Sequence, residues 1–132
     1  MNAYNTEFPV VVLLTPKDIG GEFNPYGVLL SPLTTEIRGR DLHLEIRVAR
    51  KQGVWGSGSS LACKNWGLSH GVWRGSFVYP TIHKAVEREI DLALDQMTRH
   101  SEPSLVKKVA KWKDHLMNLR EDELLKEFGY EG

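Results

Sequence analysis

A chain of 132 residues with 41% hydrophobic and 26% charged side chains is long enough to bury its own core without a metal or disulfide, and too apolar to stay disordered. Seventeen basic side chains balance seventeen acidic ones, which excludes strong whole-molecule attraction to nucleic acid or anionic lipid; any such binding has to come from local asymmetry. The lone cysteine, Cys63, excludes an intramolecular disulfide and points to a reducing compartment. The longest apolar run, Val10 to Leu14, is too short for a membrane span or a signal-peptide core, and no positive flank precedes it. These features predict one cytoplasmic domain over residues 1–132, with no membrane contact.

Phe8 to Leu14 is a branched apolar run without alternation, the pattern of a strand covered on both faces or of an edge segment under helices. Lys17 to Pro32 carries three glycines and two prolines and reads as a long loop, with a short extended piece at Gly27 to Leu30. Thr34 to Arg38 and Leu42 to Arg50 form a hairpin around Gly39-Arg40-Asp41. In its second arm Leu42, Leu44, Ile46 and Val48 alternate with His43, Glu45, Arg47 and Ala49, the period of a half-buried strand. After the turn Lys51-Gln52-Gly53, Val54 to Cys63 reads as a third strand in which Gly56 and Gly58 signal a bulge or close backbone contact. Lys64 to Ser69 reads as a tip, and Gly71 to Tyr79 as a returning strand.

Thr81 caps a helix whose stripe is Ile82, Val86, Ile90, Ala93 and Met97, ending near Arg99-His100. In a second helix Leu105, Val109, Trp112, Leu116 and Leu119 are spaced four, three, four, three, a seam that suits packing on the first helix or on another copy. Glu121 to Phe128 reads as a short last helix stopped at Gly129. Residues 8–79 are thus mainly strands and loops and 81–128 helical: an α+β fold, a small antiparallel sheet of three to five strands followed by two longer helices and a short one.

Gly53 to Gly75 holds three of the four tryptophans and six of the twelve glycines. Between Arg38 and Arg74 stand seven basic residues against Asp41 and Glu45. Rings interleaved with cations suit bases and phosphates, or a protein surface anchored by aromatic side chains; equally, the rings suit a core with the cations as its solvated rim. The candidate contact residues are Arg47, Arg50, Lys51, Trp55, Trp66, Trp73 and Arg74. Phe23 and Tyr26 sit on a turn-prone loop, as recognition elements or as lids tucked over the core. Lys107, Lys108, Lys111 and Lys113 face either phosphates or, within the chain, the acidic tail and Glu87, Glu89, Asp91 and Asp95.

Catalytic signatures are absent. Cys63 with His70 or His83 is the one hint of a thiol and a base, and Cys63 fits equally as a small buried residue. The five histidines lack metal-ligand spacing. Ser57, Ser59 and Ser60 match neither a nucleophile elbow nor a phosphate loop, and Gly56 and Gly58 lack a third glycine for a dinucleotide fingerprint. The expectation is a non-catalytic binding module with no cofactor and no metal. It would act on a nucleic acid or on a protein or ribonucleoprotein complex that handles one. The alternatives are a homodimeric assembly protein pairing through Leu105, Val109, Trp112 and Leu116, and a small Cys63-dependent enzyme.

The run from Leu42 to Leu94, a hairpin with a Trp/Gly-rich second half leading through Tyr79-Pro80-Thr81 into an amphipathic helix, resembles a module of small accessory proteins of phages and plasmids. The resemblance implies a stand-alone, non-catalytic protein of the kind that includes inhibitors of host defence such as anti-CRISPR proteins. It transfers no functional residue.

Overall fold

The computed structural model describes residues 17–130. The predicted segment Phe8–Leu14 lies outside them. Four antiparallel strands, β1 (Leu33–Gly39), β2 (Leu42–Lys51), β3 (Val54–Cys63) and β4 (Gly67–His70), lie side by side in chain order. Three helices follow: α1 (Ile82–Arg99), α2 (Pro103–Met117) and α3 (Glu121–Glu127). The order is the α+β arrangement the sequence predicts.

Alternation sets the two faces of the sheet. Leu42, Leu44, Ile46 and Val48 point to one side and are buried, while His43, Glu45 and Arg47 point to the other and stay half-open. The β2–β3 connection is a two-residue turn with both Gln52 (φ 52°) and Gly53 (φ 80°) left-handed, the conformation whose twist matches the strands it joins. Gly58 meets the expectation of close backbone contact: a Cβ there would lie 2.6 Å from the His70 carbonyl oxygen, so the chain leaving β4 can run tight against β3.

The helices cover the apolar face. Thr81 caps α1 by accepting from the Lys84 N–H at 3.2 Å, and the stripe Ile82, Val86, Ile90, Ala93 and Met97 is buried over β2 and β3. A left-handed Ser101 (φ 56°) ends α1, with the Ser101 and Glu102 N–H groups returning to the Thr98 and Met97 carbonyls. The seam of α2 packs back on α1. Val109 and Leu116 are fully buried there and Leu105, Trp112 and Leu119 partly so, leaving Val109 and Leu116 no surface to offer a second copy. Gly129 (φ 81°) terminates α3.

The structure corrects the sequence reading at the fourth strand. It is Gly67–His70, which begins inside the expected tip Lys64–Ser69, and Gly71–Tyr79 is irregular around a 3-10 turn at Arg74–Ser76. The reason is pairing: the hairpin turns at Lys64-Asn65, so Gly67 to His70 returns directly alongside Ala62 to Ser59. Beyond it, only single bridges hold the chain, Trp73 to Val28 and Tyr79 to Trp55. On the polar face, the Lys17–Pro32 loop and the 71–79 segment close over a small second cluster of Leu29, Ala49, Val72, Phe23 and Phe77. No helix among the described residues is long and apolar enough to cross a membrane.

Candidate functional site

The seven predicted contact residues separate into two groups. Trp55 points inward from β3 and is 2% exposed; it belongs to the core, because inward positions of an internal strand lie beneath the helices. Arg50, opposite it in the β2–β3 register, lays its guanidinium 5.2 Å from the Trp55 ring centre and donates to the Lys17 carbonyl at 2.9 Å. Lys51 donates to the Gly21 carbonyl. Arg47 points to the other face, where it pairs with Glu45 at 3.1 Å and donates to the His70 carbonyl at 2.8 Å. Trp66 is half-buried, stacked on His100 at 3.9 Å with its indole N–H donating to Glu102 at 3.2 Å. These five residues tie parts of the chain together.

Trp73 and Arg74 remain open. Trp73 is 55% exposed, and Arg74 lies over the Phe23 ring at 5.3 Å and is itself exposed. Of the two loop aromatics, Phe23 tucks edge-on against Phe77 (5.8 Å, 78°), whereas Tyr26 stands 91% exposed.

Behind Trp73 is a polar centre that the sequence reading did not assemble. Glu89 of α1 is 2% exposed. One of its oxygens accepts from the Ser57 hydroxyl at 2.8 Å; the other accepts from Ser59 at 2.6 Å and meets His70 Nε2 at 2.7 Å. Burial opposes the Glu89 charge, but the His70 imidazole and the Ser59 and Ser57 hydroxyls outweigh it and hold the carboxyl below its ordinary value. Reciprocally, the hydrogen bond to Glu89 lifts the half-open His70 above the usual histidine range. Each partner thus favours the charged form of the other, and a buried charge is tolerated when it is paired in this way.

The sequence reading put Glu89 among acidic partners for the lysines of α2. Among the described residues Lys113 alone takes that role, 2.7 Å from Asp91 and 3.9 Å from Glu87, and Lys108 reaches the Arg38 carbonyl at 3.3 Å. A signal for Glu89 existed. It falls three residues after Val86 and four before Ala93, inside the buried stripe, and Ser57 and Ser59 share the inward alternation of Trp55 and Leu61.

Two hollows flank His70. The first, about 110 Å³, is lined by Ser59, Leu61, Leu68, Leu92, Ala93 and Gln96 together with His70. The second, about 190 Å³, opens between Trp73, Val78, Tyr79 and Arg88, with Ser57 and Glu89 at its base. Leu92 and His70 border both. Leu68 (51%) and Val78 (65%) are exposed apolar residues among the groups that line them.

Cys63 stands apart. It lies four residues along β3 from the Ser59↔His70 pair, His70 is engaged by Glu89, and His83 meets the Leu119 carbonyl at 2.7 Å. Burial, with the Glu102 and Asp41 charges, pushes the Cys63 thiol up, away from the thiolate. Among the described residues no cluster of three His, Cys, Asp or Glu side chains has the geometry to hold a metal ion.

Comparison with protein-family models, with curated proteins and with solved structures gave no match to this chain.

Proposed function

We propose that this chain is a non-catalytic binding module whose contact face is the open cleft beside β4, rimmed by Leu68, Trp73 and Val78, and whose partner is a protein. One observation carries the reading. Trp73 stays more than half exposed beside Val78 while Arg47, Arg50 and Lys51 are engaged within the chain. A contact with one exposed indole, apolar neighbours and few free cations suits a desolvated protein hot spot better than a row of phosphates. The resemblance of residues 42–94 directs the reading to a nucleic-acid-handling complex, including host-defence complexes, as the partner class.

Affinity capture from a lysate of the native host tests it, with and without nuclease and with Trp73→Ala in parallel. The expected result is a protein retained after nuclease treatment, lost with Trp73→Ala, and only mildly sensitive to salt. Loss on nuclease treatment, with affinity falling steeply as salt rises, assigns the face to nucleic acid instead. Equal capture by Trp73→Ala overturns the face altogether.

A further inference from the structure

The two edges of the sheet are built differently. β1, one edge, carries Glu36 and Arg38, which pair at 2.6 Å; charged side chains of this kind discourage strand addition. β4, the other edge, is Gly67-Leu68-Ser69-His70, exposed along its whole length and free of Lys, Glu, Asp and Pro. No strand pairs with its outer side among the described residues.

The hydrogen-bond phase of that edge can be read from the hairpin. The Cys63 N–H donates to the Trp66 carbonyl, so in this antiparallel ladder the pairs Leu61↔Leu68 and Ser59↔His70 exchange the inward bonds. The N–H and C=O groups of Gly67 and Ser69 consequently point outward. The inward-facing side chains of β4, Leu68 and His70, overhang the hollows along α1, and Ser69 turns to the opposite face, where its hydroxyl meets Ser60 at 2.7 Å. The far wall of the groove is Arg88, Leu92 and Gln96, successive positions four apart on α1. At about 1.5 Å per residue that wall is about 12 Å long, the length of about four residues of extended chain.

We propose, on the basis of the binding-module reading, that an extended segment of the partner protein adds a fifth strand alongside β4. It bonds to the backbone of Gly67 and Ser69, seats an apolar side chain over Leu68 and Leu92, and directs an acidic side chain two residues away toward His70 and Arg88. Period-2 alternation puts both side chains on the inner face. The acidic preference follows from charge: both Glu89 oxygens are occupied within the chain by Ser57, Ser59 and His70, and the exposed Arg88 has no carboxylate partner among the described residues. A second copy is the poorer occupant. β4 itself is Gly67-Leu68-Ser69-His70 and brings no Asp or Glu to meet Arg88.

The test is selection of a random dodecapeptide display library on the immobilised full chain, followed by binding of the enriched peptides to variants. Ser69→Pro removes the outward N–H; Ser69→Ala keeps it, and both lose the Ser60 contact. The enriched sequences should share an apolar residue with Asp or Glu two positions away. Their affinity should fall at least roughly tenfold with Ser69→Pro and less than about twofold with Ser69→Ala. In the unaltered chain, bound peptide should slow amide exchange at Gly67 and Ser69, a readout that stands even where Ser69→Pro fails to fold. Helical spacing in the selected peptides, no enrichment, or unprotected Gly67 and Ser69 amides overturn strand addition. Binding lost with Trp73→Ala but kept with Ser69→Pro also overturns it while leaving the binding module intact. Binding kept by both variants overturns both.

Discussion

The closed end of the β2–β3 hairpin and the open edge at β4 place similar residues in opposite surroundings. At the first, Arg50 and Lys51 are fastened to backbone carbonyls and Trp55 is sealed beneath the helices. At the second, Trp73 and Arg74 follow the last strand in the chain, and both remain in solvent. An indole near a guanidinium is therefore buried or exposed according to where the fold places it. Composition alone does not distinguish the two.

Substitutions that treat the two ends alike should break the comparison most sharply. Trp55→Ala should cost about 3–5 kcal/mol in chemical denaturation, the range for a buried indole; a small loss would move Trp55 out of the core. Glu89→Ala should cost about 3 kcal/mol, since it strands His70 and two hydroxyls at the base of the cleft. Trp112→Ala, on a half-buried ring in the α1–α2 seam, should cost about 2 kcal/mol, below the value for full burial.

A smaller effect is pH-dependent. His70 is held above its ordinary 6.5, so its contribution is complete below about pH 6.5 and is lost as pH rises through the raised value. Glu89 is held below its ordinary 4.5, so its contribution is complete above about pH 4.5 and is lost as pH falls through the lowered value. Both are in place between these limits. Thermal melting should show the pair's contribution greatest there, and His70→Gln should remove the part lost on the alkaline side. The smallest effect belongs to the open edge: Trp73→Ala should change stability by less than about 0.5 kcal/mol, as surface substitutions do, while weakening partner binding.

Periodicity made most of the fold legible. The alternation of Leu42 to Val48, the stripe from Ile82 to Met97, and Thr81 and Gly129 at helix ends identify the strands and helices that the structure contains. β4 was not legible, because Gly67-Leu68-Ser69-His70 has one apolar residue and becomes a strand only through its ladder with β3. The candidate site was legible in part. Trp73 and Arg74 were picked out together with five residues that turn inward or pair within the chain, since a ring-and-cation pattern is the same for a core with a charged rim as for a binding surface. Glu89 was hidden by its membership of a charged run, although its position inside the apolar stripe of α1 marked it as buried.

The sharpest check is acrylamide quenching of tryptophan fluorescence, comparing the unaltered chain with Trp73→Phe. If the edge beside β4 is the molecule's one open indole surface, that replacement removes most of the readily quenched emission and leaves a shielded remainder. Quenching that persists undiminished would place an accessible ring elsewhere and contradict the assignment of the face.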